Sequence, residues 1–227
     1  MLAIFWMRSS HCLMPLSAEI DELTTWVKRL PSIGKQTLGG AGAPVYILDF
    51  VMIGAVKRSL SLASGMLSMV QAQNMVCSRA ILRMQLDTVS RLLTYTHVNN
   101  PEAMAKALIG GTPIKKFKSR DGKALVDGYL IDQMTKAHPW ARKVYDFTSG
   151  YVHFSERQFF DSIHSIGSDQ KHTIQLQVSH IDDKFPEFSW EEAIACFNQL
   201  LKIIESLLGS YSSQKTINPS TNTDAAR

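Results

Sequence analysis

Residues 140–154 read WARKVYDFTSGYVHF, and their spacing draws two stripes on one helix. Trp140, Val144, Phe147, Tyr151 and Phe154 recur at i, i+4, i+7, i+11 and i+14, the period of a helix face turned to a core. Arg142, Asp146, Ser149 and His153 recur at i, i+4, i+7 and i+11 on the opposite side. The same 3.6-residue period returns in most other segments. The fold class that follows is mainly α, a helical bundle.

Just upstream, Ala124–Ala137 forms another helix with Leu125, Tyr129 and Leu130 inward, separated from the first by His138-Pro139. Downstream the period changes. Lys171–His180, KHTIQLQVSH, alternates Ile174, Leu176 and Val178 with Gln175, Gln177 and Ser179, the pattern of a half-buried strand. One strand needs a partner, and Gln158–Ile166, joined through Gly167-Ser168-Asp169, is the best candidate. This predicts a small β-hairpin over about 158–180, inserted before the C-terminal helix. That last helix is expected to start at a capping box, Ser189-Trp190-Glu191-Glu192, and to end at Gly209. Trp190, Ile194, Phe197, Leu201, Ile204 and Leu208 form its core stripe.

Nearer the N-terminus, Ser17 can cap a helix with Ile20, Leu23, Val27 and Leu30 inward, and Pro31 is expected to stop it. Residues 31–44, PSIGKQTLGGAGAP, then read as a flexible loop; their glycine spacing matches neither phosphate-binding loop pattern. Val45 to about Gln73 is apolar almost all round, with Gly54 and Gly65 inside, and is expected to be a buried central helix. Asn74 to about Val98 carries Met75, Leu82, Leu86, Val89 and Leu93 on one face, and Pro101 opens a short helix, PEAMAKALIG.

At 227 residues, 45% hydrophobic and 19% charged, the chain suits one globular domain, expected over 17–211. A flexible lead, 1–16, and a polar disordered tail, 212–227, flank it. The charge of +4 permits an acidic partner without demanding one. Cys12, Cys77 and Cys196 have no C-x-x-C spacing and read as reduced thiols of a cytoplasmic protein, with Cys77 and Cys196 as buried structural groups. The apolar start has no positive n-region and reaches only to Arg8, so it reads as a floppy lead or an upstream start, with Met7 or Met14 as alternatives. The longest apolar run elsewhere, Phe50–Val56, is far short of the ~20 residues that span a bilayer, so no membrane association is expected. Seven histidines include no H-E-x-x-H or H-x-H pair, so neither a metal nor another cofactor is expected.

Two groups of residues could carry chemistry. On the 142–153 stripe His153 is a plausible base, Asp146 could orient it, and Ser149 could approach it at i, i+4. No oxyanion hole or strained nucleophile turn accompanies them, and the stripe reads equally as the wet side of an amphipathic helix with an Arg142–Asp146 pair. Arg79, Arg83 and Asp87 lie on the polar edge of the 74–98 helix. They read either as a solvated pair or as a cationic wall that holds an anion or meets the 142–153 stripe. The loop 110–123 adds Lys115, Lys116, Lys118, Arg120 and Lys123 around Phe117, a charge run that could touch nucleic acid or simply be solvated.

The R-x-x-x-R-x-x-x-D pattern of SRAILRMQLDTVSRLL, with Tyr145-Asp146-Phe147-Thr148-Ser149-Gly150-Tyr151-Val152-His153 on a later helix, resembles a bacterial helical family of unknown function. That family usually carries Glu and Leu where this chain has Asp87 and Thr148. It is sometimes placed near the HEPN domains, some of which are metal-independent ribonucleases marked by an Arg followed by His after four to six residues. Here Arg142 and His153 are eleven apart, roughly 16 Å along a helix axis, so they cannot grip one phosphate together. The resemblance implies a mostly helical fold and no particular activity. The expected function is a binding or regulatory module without evident catalysis. The alternative is a HEPN-like ribonuclease or nucleotide-binding protein, with His153 as base, Ser149 and Arg83 in the catalytic set, and Arg79, Arg83, Asp87 and Tyr145 binding ligand. An anionic ligand or RNA would then be the partner, and a homodimer is open. The pairing of motifs predicts that Tyr145, Ser149 and His153 pack toward Arg79, Arg83 and Asp87.

Overall fold

A computed structural model describes residues 14–40, 42–166 and 174–217. Eight helices account for most of them: α1 (Leu16–Leu38), α2 (Ile47–Gln71), α3 (Met75–Leu93), α4 (Pro101–Ile109), α5 (Asp127–Ala137), α6 (Trp140–Val152), α7 (Glu156–Ser162) and α8 (Glu187–Ile217). The hairpin expected before the last helix is present as β1 (Ile163–Ile166) and β2 (Ile174–Leu176), paired antiparallel. The expected turn at Gly167-Ser168-Asp169 lies outside the described residues, as do Cys12 and most of the expected N-terminal lead.

The hub is α3 rather than α2. It packs on α2, α5, α6 and α8, while α1 lies across α2 and α8. Leu82, Leu86 and Val89 of α3 are fully buried at its centre. By contrast α2 keeps an open apolar side, with Phe50 63% exposed, so its near-continuous hydrophobicity does not report burial all round. Among the described residues α2 is also the one helix long and apolar enough to cross a bilayer by length and composition; Lys57-Arg58 sit inside it, so counting uninterrupted apolar runs overlooks it.

Several expected boundaries move. Pro15, not Ser17, precedes α1, and the helix runs through Pro31 to Leu38. Burial of Leu23, Trp26, Leu30, Ile33 and Thr37 continues one face past the proline. Gly34 gives α2 room there, since a Cβ would lie 3.4 Å from Val56 Cγ1. At the other end α8 begins at Glu187, two residues before the expected cap, and the Ser189 N–H donates to the Pro186 carbonyl at 2.9 Å. It also continues through Gly209 to Ile217, so residues 212–217 are helix and not part of a disordered tail. The cause is a buried anchor. Lys215 Nζ lies 2.8 Å from a carboxylate oxygen of Asp49, which is 0% exposed, and the Tyr211 hydroxyl donates to the other oxygen at 2.8 Å. Lys215 also donates to the Leu38 carbonyl, fastening the ends of α1 and α8 to the start of α2.

The strands are shorter than expected, and β2 is exposed rather than half-buried. Residues 156–162 are helix α7, and Ile174, Leu176 and Val178 all face solvent, Val178 at 98%. Cys196 is buried as expected, but Cys77 is exposed at the start of α3.

Candidate functional site

Arg79 and Arg83 stand one turn apart on the face of α3 that meets α6. Packing selects this: long cationic stems lie along apolar surface while their heads seek π-faces and acceptors. The guanidinium of Arg79 sits 5.0 Å from the ring centres of both Phe147 and Tyr151 and 4.7 Å from that of Phe185. Its Nη1 donates to the Tyr151 hydroxyl at 2.5 Å and lies 4.0 Å from the Asp161 carboxylate. Arg79 is only 8% exposed, and its Nε–H has no acceptor among the described residues. Burial pushes the Tyr151 phenol up to about 12, against the pull of Arg79. Burial likewise raises the Asp161 carboxyl, with Arg79 the main opposing influence.

Arg83 takes the neighbouring ring, its guanidinium 4.1 Å from the centre of Tyr145. Its contact with Asp87 is long, 4.0 Å. Asp87 is held instead by Arg91, one turn further on, at 2.9 Å, and Arg91 reaches Asp127 at 3.0 Å. Acid first and cation four later is the favoured order on a helix, which explains why Asp87 pairs forward.

The fourth wall comes from α7. Ser155 caps it in a reciprocal box with Gln158, whose side-chain amide also donates to the Gly150 carbonyl at 2.8 Å. Arg157 then folds back with its guanidinium 4.3 Å from the Phe147 ring centre. Glycine at 150 makes room for this fold-back, because a Cβ would lie 2.7 Å from Arg157 Cδ and 2.9 Å from Ser155 Oγ and would force them to shift. After the hairpin, Asp182 accepts from the Met75 N–H at 2.8 Å, capping α3 from a distance and bringing Phe185 over Arg79.

Of the residues singled out in the sequence, Arg79, Arg83 and Tyr145 lie at the α3–α6 contact, whereas Asp87 is held by Arg91 and lines the cleft between α2 and α3. Ser149 and His153 do not join them. The Ser149 hydroxyl donates to its own helix at the Tyr145 carbonyl, 2.7 Å away. His153 is exposed with extended backbone just past the end of α6, and Phe154, expected on the core stripe, is 95% exposed. Arg142 and Asp146 form the expected i, i+4 pair at 3.8 Å on the wet side, with Asp132 a closer partner of Arg142. The residues missed were Asp161, Arg157 and Phe185. The signal for α7 was present as Ser155-x-x-Gln158, a capping pattern overlooked in favour of a strand.

In the basic loop Arg120 is tied to the Val98 carbonyl at 3.1 Å, while the four lysines are exposed. Among the described residues no three His, Cys, Asp or Glu side chains stand together in a metal-holding group. The cluster therefore offers a buried cation inside a ring of π-faces, with one carboxylate opposite. No protein-family model, curated protein or solved structure matches the chain.

Proposed function

We propose that the protein is a non-catalytic binding module and that the arm built from α7, the hairpin and their flanks is its contact surface. The observation that carries this reading is apolar exposure concentrated in one stretch: Phe154, Phe159, Phe160, Ile174, Leu176 and Val178 all face solvent. Isolated exposed apolar residues are ordinary, but such a concentration on α7, β2 and their flanks, beside a two-stranded ribbon with open edges, favours association. A second copy of the chain is the partner that fits, because a two-fold contact sets the same apolar side chains and strand edges against one another. The exposure of His153 past the end of α6, while the heads of Arg79 and Arg83 are stacked on rings, speaks against the HEPN-like alternative.

Sedimentation of the full chain over the micromolar range tests the reading. The expected result is a concentration-dependent dimer that Phe154→Ser with Val178→Ser converts to a monomer of unchanged helix content. A wild-type chain that remains monomeric overturns the arm as an interface. Cleavage of single-stranded RNA without added metal, lost in His153→Ala, overturns the absence of catalysis and revives the ribonuclease reading.

A further inference from the structure

Away from the arm, α2 and α3 diverge around an open cleft of about 380 Å³. Its apolar lining is Val51, Ala55, Leu92, Leu108 and Ile114, and its polar rim includes Arg58 and Thr88. Gly54 also lines it, and this residue is informative. A glycine inside a helix is destabilising relative to alanine, so it needs a reason. Close packing supplies one at Gly65, where a Cβ would meet Ile81 Cδ1 at 3.4 Å. At Gly54 a Cβ would meet nothing within 4 Å. No neighbouring element requires glycine there; what its missing side chain preserves is the empty space.

The charges around the cleft are unequal in their commitments. Arg91 is neutralised by Asp87 and Asp127, and Asp87 is in turn shared with Arg83. Arg58 has no carboxylate partner among the described residues. Its Nε donates to Thr88 Oγ1 at 2.9 Å, and that hydroxyl donates onward to the Met84 carbonyl at 2.9 Å. The guanidinium is thus fixed at one nitrogen with its terminal pair uncommitted, the arrangement that suits bidentate binding of a carboxylate. Tyr95, another lining residue, holds a buried hydroxyl without a partner among the described residues.

We propose that this cleft binds a small amphiphilic monocarboxylate, its apolar body between α2 and α3 and its carboxylate on Arg58. The volume lies at the small end of the ~300–1,000 Å³ typical of ligand sites, which suits a single-ring or medium-chain acid better than a nucleotide. The inference does not depend on the arm.

The test is calorimetric titration of the full chain with sodium octanoate, 1-octanol and octyl phosphate. Octanoate binds the wild type more tightly than the neutral alcohol. Arg58→Gln weakens octanoate about tenfold, to the level of the alcohol. Gly54→Leu abolishes binding by filling the space, with a melting temperature equal to or above wild type, so loss of binding is separated from loss of folding. Absence of octanoate binding, equal binding of octanoate and octanol by the wild type, or unchanged binding in Gly54→Leu overturns the proposal. Binding of octyl phosphate alone overturns the choice of a carboxylate.

Discussion

Replacing Arg79 by methionine removes a charge while keeping most of an unbranched stem. The wild-type guanidinium donates to Tyr151 at 2.5 Å, stands 4.0 Å from Asp161, and is covered by three rings. A hydrogen bond to a charged group contributes about 1.5–3 kcal/mol, and a desolvated cation–π contact about 2 kcal/mol. These contributions overlap and do not add. The larger consequence is what remains: the Asp161 side chain, 16% exposed, loses its main counter-ion and keeps only the weaker influence of Lys184. Breaking a buried pair from one side costs about 3–5 kcal/mol. Arg79→Met should therefore lose about 3 kcal/mol of unfolding free energy at neutral pH, measured by urea denaturation with an unchanged slope.

The pH dependence separates a lost charge from lost packing. Burial already raises the folded-state pKa of Asp161 above its ordinary 3.8. The folded state then holds this proton more tightly than the unfolded state, so stability falls as pH rises from the ordinary value through the raised one. Without Arg79 that window extends to higher pH, and the defect of Arg79→Met should shrink as pH falls and Asp161 becomes neutral. Adding Asp161→Asn should recover about 1–2 kcal/mol of the single-variant loss at neutral pH. A loss below about 1 kcal/mol, independent of pH and additive with Asp161→Asn, would refute the view that this cation is held by mutual neutralisation.

The C-terminal anchor predicts that Lys215→Met, or truncation after Tyr211, loses about 3 kcal/mol, because Asp49 stays buried without its cation; equal denaturation midpoints for full-length and truncated chains would contradict this. Gly150→Ala should cost about 1–2 kcal/mol by pushing Arg157 and Ser155 away, and Arg157→Ala added to it should restore part of the loss in the same assay. Ser189→Ala should change stability by no more than about 0.5 kcal/mol, since the residue lies inside the first turn of α8 and does not cap it; a loss of about 1 kcal/mol or more would restore the cap reading. Burial lowers the pKa of His138 below 6.5, so the unfolded state takes up its proton first as pH falls. Stability should then decline from pH 6.5 down through the lowered value, and the difference between wild type and His138→Gln should shrink across that window in parallel denaturation curves.

The two capping patterns show which part of this architecture was legible. Ser155-x-x-Gln158 and Ser189-x-x-Glu192 are equivalent as sequence, yet only the first caps a helix. The difference lies upstream. The chain is already extended at His153 and starts afresh at Ser155, whereas Pro186 has launched α8 before Ser189 is reached. Pro31 and Gly209 fail as stops for a related reason: their cost is local and moderate, while the burial gained beyond them, at Ile33 and Thr37 in one case and Lys215 in the other, depends on contacts distant in sequence. The core faces of α3, α6 and α8 were therefore readable where helix ends were not, while the apolar face of β2 and the open side of α2 were misread as buried. Trp140, Val144, Phe147 and Tyr151 are buried as their spacing requires, and α3 meets α6 as the paired motifs predict. The role of that meeting was not readable. Tyr151 scans as one more core aromatic, and its partner Arg79 is 72 positions away. Asp161 scans as a residue of a strand that is in fact a helix, and Phe185 is brought over the guanidinium by a loop fastened through Asp182. A periodic pattern can say which side of a helix is apolar. It cannot say that an arginine on the edge of that side will be enclosed by three rings, because those rings come from two other segments whose positions the fold alone determines.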